Sequence, residues 1–552
     1  MKPSRYVPSL IERYTKMGLW KDDTPTLLQR LDENATKWPD KEAFVDSQIR
    51  MTYAEVKQWT DRVAFGLIEH EIPRESVILA LLPNLVETLL LRFAFQKAGL
   101  LGMITPMRFG FRELFHLMKE TGAAGLVVAP RHMEDEFWQG LKAIRKDLPL
   151  FRYLFVVGDR GPEGTIFIDE MAREPLEKKY PSNYLTKTRV QPLEVECLLT
   201  TSGTTGLPKA IEHCALPYSM QEAFVHGWKL TPYDIFGALI PLYGGASALC
   251  WSVAIWVGGK VVMLEKFDPE QALSLIDCEK ITVASGVPTE MVRMVNHPNF
   301  QKYSLSSLRY FVYSGTACPP ALAQRIEEIM KCKVLTFYGA TEVGGVTMLN
   351  PDDPPVIRYT SIGKPRPGME VRLIDEKGRD VCVGETGEIT CRGATCPSGY
   401  FRDSKATLVA WGGELDGWYR TGDLARFDQD GYLYLMGRKK DVIIRGGQNI
   451  VPAEVENLLC SHPNVMQAAV VPMPDPELGE RPCAYVIPKP GKSFSFNEMI
   501  SFLKAKGLAI YKLPERLEVV EKFPQSGGQK ISKNDLVKDI TRKLQSEGIR
   551  VG

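Results

Sequence analysis

The stretch Thr200-Thr-Ser-Gly-Thr-Thr-Gly-Leu-Pro-Lys209 is the most informative segment of the chain. It follows an apolar run, Cys197-Leu-Leu199, and combines hydroxyl side chains with two glycines and a final lysine. The glycines permit a tight turn and close approach to a ligand, and the hydroxyls, main-chain N–H groups and Lys209 can bind phosphate oxygens. The order differs from the common G-x-x-x-x-G-K-[ST] phosphate loop. Two interpretations follow: a polyphosphate-binding loop, or an ordinary surface loop rich in serine, threonine and glycine.

On both sides of this loop, short apolar runs alternate with helical patterns. Strands are predicted at residues 77–82, 100–105, 126–129, 154–158, 237–242, 260–264, 282–285, 311–313 and 334–337, and residues 195–199 form an apolar lead-in to the loop. Continuous apolar runs separated by helices indicate strands that are buried on both faces, and hence an α/β sheet. Thr52-Tyr-Ala-Glu55 has the spacing of a capping box at the start of a helix.

The pattern changes twice towards the C-terminus. Residues 355–437 contain short strands separated by glycine-containing turns, which predicts antiparallel hairpins in a small barrel or distorted sheet. Beyond a charged junction, residues 441–552 read as a separate small α+β domain. We therefore expect an N-terminal domain over residues 1–438 and a C-terminal domain over residues 441–552.

The bulk composition excludes several classes of protein. The chain has 552 residues, 44% of them hydrophobic and 24% charged, with a net charge of +1. This length requires more than one core, and the charge balance argues against a general nucleic-acid or membrane-surface binder. Residues 235–259 carry no charge, but glycines and a proline interrupt them, which favours buried core over a membrane span.

Cysteine usage and the N-terminus bear on location. Eleven cysteines are scattered without a zinc-binding pattern, and no apolar segment follows Met1 as in a signal peptide. We expect reduced thiols, a cytoplasmic protein, and a monomer or homodimer.

Three further segments carry candidate ligand groups. Tyr338-Gly-Ala-Thr-Glu342 follows a predicted strand, where α/β sheets place ligands, and Glu342 could hold Mg²⁺. Tyr419-Arg-Thr-Gly-Asp423 and Gly437-Arg-Lys-Lys-Asp441 follow in the strand-rich region. Alone, each could be a structural turn or a solvated run of charges.

Together, these segments resemble the ordered motifs of the adenylate-forming superfamily, which includes acyl- and aryl-CoA synthetases, nonribosomal peptide adenylation domains and luciferases. The loop at residues 200–209 is similar to S-G-T-T-G-x-P-K, and the later segments are similar to Y-G-x-T-E, Y-R-T-G-D and G-R-x-x-D. Phe523-Pro-Gln-Ser-Gly-Gly-Gln-Lys530 resembles P-x-T-x-x-G-K, although Gln529 stands where the family has glycine. The resemblance implies a large domain of two α/β sheet subdomains plus a small β-barrel, followed by a small mobile α+β lid.

The resemblance also implies roles for individual residues. It assigns catalysis to Lys530, Glu342 and Thr341, with Mg²⁺ on Glu342. It assigns ATP and AMP binding to Thr201, Ser202, Gly203, Thr204, Thr205, Gly206, Lys209, Gly315, Thr316, Ala317, Tyr338, Asp423 and Arg438. It places the hinge at Lys440 and the coenzyme A tunnel at Gly447.

The acyl pocket is expected near Pro241-Leu-Tyr-Gly-Gly245. Its predicted lining is Tyr243, Gly244, Gly245, Gly339, Ala340 and Val346. Amino-acid-activating relatives carry an aspartate after the aromatic residue, and its absence here argues against an α-amino acid. An uncharged, partly roomy pocket suits a compact apolar acid that is aromatic, alicyclic or short and branched.

The implied reaction activates the acid with ATP to acyl-AMP and then transfers the acyl group to coenzyme A. Lys530 and Mg²⁺ would offset the charge between carboxylate and polyphosphate. An alternative is an aryl-acid ligase that loads a carrier-protein pantetheine; no carrier domain follows Lys530, which favours coenzyme A. A non-catalytic nucleotide-binding relative is a third possibility.

Overall fold

The computed structural model describes residues 15, 25–192, 194–201, 207–214, 221–243, 245–393, 396, 399–411, 417–526 and 530–548. For residues 246, 526 and 530 the description covers the main chain only. The predicted site residues Ser202, Gly203, Thr204, Thr205, Gly206 and Gly244 lie outside the described residues, as does the side chain of Lys530.

The strands are numbered in chain order. They are β1 Glu42–Val45, β2 Arg50–Thr52, β3 Val77–Leu81, β4 Leu101–Thr105, β5 Gly125–Val128, β6 Tyr153–Val156, β7 Ile166–Phe167, β8 Val195–Thr200, β9 Ala210–Cys214, β10 Ile235–Ala238, β11 Lys260–Met263, β12 Val283–Gly286, β13 Tyr310–Tyr313, β14 Lys333–Ala340, β15 Gly344–Met348, β16 Lys364–Pro365, β17 Met369–Ile374, β18 Gly387–Gly393, β19 Gly399–Tyr400, β20 Tyr419–Phe427, β21 Leu433–Arg438, β22 Ile443–Arg445, β23 Gln448–Ile450, β24 Val465–Asp475, β25 Gly479–Pro488, β26 Arg516–Val519, β27 Gln525–Ser526 and β28 Lys530–Ile531.

The α-helices are numbered in the same way. They are α1 Leu27–Lys37, α2 Tyr53–Glu69, α3 Val86–Ala98, α4 Phe111–Thr121, α5 Asp135–Ile144, α6 Ile168–Arg173, α7 Tyr184–Thr188, α8 Glu222–Gly227, α9 Gly245–Val257, α10 Pro269–Glu279, α11 Pro288–Val295, α12 Pro320–Met330, α13 Pro355–Thr360, α14 Ser404–Trp411, α15 Pro452–Cys460, α16 Phe496–Ala505 and α17 Lys533–Ser546. The predicted capping box at α2 is confirmed: Thr52 and Glu55 bond each other's main-chain N–H groups at 3.3 and 2.8 Å.

Two large sheets with helices on their faces form most of the chain, as the apolar runs predict. One has the order β16-β15-β14-β13-β12-β10-β11-β1-β2, and the other β19-β9-β8-β4-β3-β5-β6-β7. The inner strands are parallel, and buried apolar clusters cover both faces of each sheet. Parallel strands need this double cover because their side chains are apolar on both sides.

Strand β10 ends earlier than the predicted span of 237–242. Leu239 and Ile240 are buried beyond the strand end, and Pro241 cannot donate a ladder hydrogen bond. The rest of the uncharged segment forms a turn and α9. Among the described helices, none has both the length and the apolarity needed to cross a bilayer.

The strand-rich region forms a four-stranded antiparallel sheet in the order β17-β18-β20-β21. Beyond it, β22 to β26 form a separate sheet with its own two apolar clusters, packed by α15, α16 and α17. Helix α15 contacts β21 and α12. The large N-terminal α/β part and the smaller C-terminal part agree with the predicted fold class.

Candidate active site

The two ends of the glycine-rich loop are joined by main-chain contacts. The N–H of Thr201 donates to the Lys209 carbonyl at 3.0 Å, and the N–H of Lys209 donates to Thr201 Oγ1 at 3.0 Å. The Lys209 ammonium lies 3.6 Å from Asp403 and 4.8 Å from the centre of the Tyr400 ring. Strand β19 carries Tyr400 and pairs with β9, and this pairing places Tyr400 beside the loop.

Glu342 interacts electrostatically with two phenols, Tyr400 and Tyr419. Burial first, and the Glu342 carboxylate second, raise the pKa of Tyr400 to about 12 and raise that of Tyr419 still further. Lys209, Tyr400 and Glu342 therefore come together, although they belong to distant parts of the sequence. This is a cluster of oxygen groups beside a cation, as a site for a phosphate and a hard metal ion requires.

Tyr338, Asp423 and Arg438 form a second group between the large sheet and the small antiparallel sheet. The Tyr338 hydroxyl donates to Asp423 Oδ2 at 2.6 Å, and Arg438 Nε donates to Oδ1 at 2.7 Å. Burial acts to lower the pKa of Arg438, but the Asp423 carboxylate outweighs it and raises that pKa. Asp423 is 7% exposed, so its paired oxygens are held in a fixed orientation suited to hydroxyl donors.

His213 supports the main chain at Thr341. Its imidazole, on β9, is 5% exposed and hydrogen-bonds the main chain of Thr341. Burial, with a smaller contribution from Arg92, lowers the pKa of His213 to about 3. The ring is therefore neutral near pH 7, and it couples the strand after the loop to the Thr341-Glu342 turn.

The segment after β13 lies next to β14. Ser314 Oγ donates to the Phe337 carbonyl at 3.0 Å and fixes the two strand ends together. Gly315 has a φ of 88°, and it and Ala317 are exposed while Thr316 is half-buried. These three positions border the start of Tyr338-Gly-Ala-Thr-Glu342.

Tyr243, which was predicted to line the acyl pocket, is hydrogen-bonded to a residue of the other large α/β unit. Arg108, in the loop after β4, donates from Nη1 to the Tyr243 hydroxyl at 2.5 Å, and its guanidinium lies 5.4 Å from the ring centre. Gly245, the first residue of α9, is exposed. The sequence contains no motif that identifies Arg108.

The predicted pocket residues of the β14–β15 hairpin occupy two faces. Gly339 pairs directly with Gly345. Ala340 and Val346 instead pack with Met369 and Cys391 of the small antiparallel sheet. The structure therefore does not bring Val346 onto the face that carries Gly339.

The C-terminal residues lie on turns and short strands. Lys440 is exposed in a single 3-10 turn, Lys439–Asp441, between β21 and β22. Gly447 is exposed in the two-residue turn between β22 and β23. The main chain of Lys530 pairs with Ser526 in a short two-stranded ladder.

Comparison with known proteins identifies the class. The AMP-binding enzyme family matches residues 31–401, and the AMP-binding enzyme C-terminal domain matches residues 454–530. The chain is 31% identical over 541 residues to 2,3-dihydroxybenzoate-AMP ligase of Bacillus subtilis (strain 168), covering 97% of each chain. It is 30% identical over 541 residues to medium-chain fatty-acid–CoA ligase of Escherichia coli (strain K12), covering 97% of this chain and 93% of the relative.

A solved structure with a similar fold is the anthranilate CoA ligase AuaEII in complex with anthranoyl-AMP. The TM-score is 0.84 and the identity 25%, over 94% of this chain and 98% of that one. The chain belongs to the AMP-binding, adenylate-forming enzyme family. It is an acid ligase that activates a carboxylic acid with ATP.

Proposed function

We propose that this protein is an acid–thiol ligase that forms an acyl-AMP from a compact aromatic, alicyclic or short branched acid and then transfers the acyl group to coenzyme A. The observation that carries the first half-reaction is the Tyr338–Asp423–Arg438 group beside the Lys209–Tyr400–Glu342 cluster. The first group offers paired oxygens to a ribose. The second offers charges to a polyphosphate.

The charge arrangement accounts for adenylation without a nucleophilic side chain. A carboxylate must approach the α-phosphate of ATP, and cations held nearby reduce the repulsion between them. Lys209 would contact the phosphates that leave as pyrophosphate, and Lys530 would contact the acid and the α-phosphate. Thr341, held through His213, would orient the same phosphate.

Glu342 suits a magnesium ion. Mg²⁺ prefers oxygen ligands and is commonly held by one or two carboxylates together with substrate phosphates. A single carboxylate among phenols fits that mode, and the described residues contain no group of three His, Cys, Asp or Glu that would form a complete protein cage. When bound, the ion would supply positive charge to the polyphosphate.

The turn between β22 and β23 supports a thiol acceptor. Gly446 and Gly447 have φ values of 54° and 82°, and nothing lies within 4 Å of a Cβ placed on Gly447. The turn therefore presents bare main chain, which leaves room for a narrow pantetheine arm. Both a coenzyme A arm and a carrier-protein arm would fit this description.

Transfer to a carrier protein is the second candidate, because one relative is named 2,3-dihydroxybenzoate-AMP ligase and another medium-chain fatty-acid–CoA ligase. The test measures pyrophosphate release over a panel of acids, with coenzyme A or with a pantetheinylated aryl-carrier protein. We expect acid-dependent release of pyrophosphate, and formation of a thioester with coenzyme A but not with the carrier protein. A thioester formed only on the carrier would favour the second candidate, and no release with any acid would overturn adenylation.

A further inference from the structure

The segment that leads into the proposed acyl pocket is held from the other large sheet. Strand β10 ends at Ala238, and residues 239–243 continue beyond the strand as a turn. Buried main-chain groups beyond a strand end need hydrogen-bond partners other than a neighbouring strand. Asn84, in the loop after β3, is 7% exposed and supplies such partners.

The Asn84 carboxamide binds main chain at the ends of β10 and β11. Its Nδ2 donates to the Ile240 carbonyl at 2.8 Å and to the Leu264 carbonyl at 3.1 Å. Its Oδ1 accepts from the Leu242 N–H at 2.9 Å. Both donors and the oxygen are therefore engaged, and they lie in one plane. The main chain immediately before Tyr243 is fixed as a result.

A second residue from the loops of the same sheet holds the Tyr243 side chain. Arg108 follows β4, the neighbour of β3; its Nη1 donates to the Tyr243 hydroxyl at 2.5 Å, and its guanidinium lies 5.4 Å from the ring centre. Burial raises the pKa of the Tyr243 phenol, although Arg108 opposes the rise, so the hydroxyl is neutral at pH 7 and accepts this bond. The ring is therefore held at its hydroxyl end as well as through its main chain.

The position of Arg108 suits a residue that adjusts the pocket without maintaining the fold. Arg108 is exposed, and substitutions at exposed positions usually change stability little. A tyrosine whose hydroxyl is free can change its side-chain rotamer, and the wall that it forms then moves. The planar guanidinium binds the hydroxyl and contacts the ring, and both contacts oppose that movement.

We propose that Arg108 is a positioning residue that sets the acid selectivity of the enzyme through the Tyr243 hydroxyl, with Asn84 as the main-chain anchor. This inference rests on the proposed function, in which Tyr243 lines the acyl pocket. A fixed ring excludes acids that are bulkier than the compact class, and a released ring admits them. Arg108 needs no contact with the acid to have this effect.

The test measures kcat/KM for matched acids in ATP–pyrophosphate exchange. Each parent acid is paired with a bulkier homologue: benzoate with 4-ethylbenzoate, cyclohexanecarboxylate with 4-ethylcyclohexanecarboxylate, and isobutyrate with 2-ethylbutyrate. In the pair that contains the best parent substrate, Arg108→Met should raise the ratio of kcat/KM for the bulky acid to that for the parent by about 5- to 20-fold. Both acids carry one carboxylate, so the lost positive charge affects them equally and cancels in the ratio. The KM for ATP should stay within about 2-fold of the wild-type value.

A double-mutant cycle tests whether Arg108 acts through the tyrosine. Tyr243→Phe removes the hydroxyl that Arg108 binds, so it should shift the ratio by a similar factor. Adding Arg108→Met to Tyr243→Phe should then change the ratio by about 2-fold or less, because the bond is already lost. Arg108→Lys keeps a donor and should hold the ratio within about 3-fold of the wild-type value.

Arg112→Met is the matched control, because Arg112 is an exposed arginine on α4, close to Arg108 in the sequence. It should leave both the ratio and the thermal midpoint unchanged. Asn84→Ala should raise the ratio, and should do so in the Tyr243→Phe background as well, because it loosens the main chain rather than the hydroxyl contact. If Asn84→Ala does not fold, the cycle at Arg108 and Tyr243 carries the test.

The outcomes separate this inference from the proposed function. An unchanged ratio in Arg108→Met, an equal change in Arg112→Met, or a full further change on top of Tyr243→Phe would overturn the inference alone. A loss confined to thioester formation would also overturn it, since Arg108 would then act on the thiol. An unchanged ratio in folded Asn84→Ala would exclude Asn84 as the anchor. Wild-type exchange with none of the acids would overturn the proposed substrate class and the inference with it.

Discussion

The Tyr338 hydroxyl and the Asp423 carboxylate are bonded at 2.6 Å, although they belong to different sheets. Arg438 holds the other carboxylate oxygen at 2.7 Å. The proposed nucleotide side of the site therefore depends on contact between the large sheet and the small one. We expect small displacements between these sheets to alter ATP binding before they alter either core.

Asp423→Asn should weaken ATP use, because the neutral amide removes a charge-assisted bond to Arg438 and places an NH₂ group against a donor. We expect kcat/KM for ATP to fall about 30- to 100-fold, with about 1–2 kcal/mol lost from the free energy of unfolding. Tyr338→Phe, which keeps the Asp423 carboxylate, should lower kcat/KM for ATP by about 10-fold or less. ATP–pyrophosphate exchange kinetics measure the change in kcat/KM, and urea unfolding measures the change in stability. An unchanged KM for ATP in Asp423→Asn would contradict the assignment of Asp423 to nucleotide binding.

Glu342→Gln should raise the requirement for magnesium. The amide keeps the shape but loses the charge that would hold the ion, so half-maximal adenylation should need at least about 10-fold more Mg²⁺. AMP binding, measured by calorimetry without the metal, should change little. Glu376→Gln, in an exposed turn, is the control. An identical Mg²⁺ titration in Glu342→Gln and wild type would refute this role.

His213→Gln should change how stability depends on pH. The folded-state pKa of about 3 lies below the ordinary 6.5, so the neutral ring's stabilisation is complete above pH 6.5 and is lost as pH falls from 6.5 towards 3. At pH 5 the cost of keeping the ring neutral is about 2 kcal/mol. In urea unfolding between pH 5 and about 7.5, the free energy of unfolding of His213→Gln should therefore fall less with decreasing pH than that of the wild type, because glutamine does not titrate. His70→Gln, at an exposed position, is the control substitution.

Gly447→Leu should block thioester formation while leaving adenylation intact. Both leucine and alanine pay the strain of a φ of 82°, but only leucine fills the space beside the turn. We expect transfer from acyl-AMP to coenzyme A to fall at least about 100-fold for Gly447→Leu and about 5-fold or less for Gly447→Ala. Equal losses in the two variants would point to strain rather than to a tunnel.

Lys530→Ala should impair the first half-reaction, adenylation, rather than the transfer to the thiol. Removing the proposed cation should reduce adenylation by about 100- to 1,000-fold, while thioester formation from supplied acyl-AMP persists. Lys533→Ala is the matched control, because Lys533 is engaged 2.7 Å from Glu456. Full adenylation by Lys530→Ala would exclude this lysine from the first half-reaction.

The fold was predictable from the sequence because short local patterns mark its strands and helix starts. In β3, Val77–Leu81, every residue is apolar and buried, and the capping box at Thr52 is a short-range signal. The end of β10 was not predictable from the sequence. Leu239 and Ile240 are as apolar as strand residues, but they are buried beyond the last residue pair between β10 and β12. The apolar character of these two residues reflects burial in the core rather than hydrogen bonding in a strand.

The site was predictable only where residues stand in contiguous motifs. Tyr338, Asp423 and Arg438 come from three such motifs, and the structure brings them together. His213 and Tyr400 reach the candidate site through strand pairing, and Arg108 contacts the predicted pocket residue Tyr243 from the loop after β4. Their positions depend on long-range packing, which leaves no short pattern in the sequence.

The two paired glycines of the β14–β15 hairpin differ in what can replace them. A Cβ on Gly339 would lie 2.2 Å from the Gly344 carbonyl oxygen, a main-chain atom that cannot withdraw. A Cβ on Gly345 would meet the end of the Arg366 side chain, which can adopt another rotamer. In the acyl pocket that we propose, we therefore expect substitutions that favour smaller acids to be tolerated at position 345 and not at position 339, and a first library should vary positions 345 and 366 together.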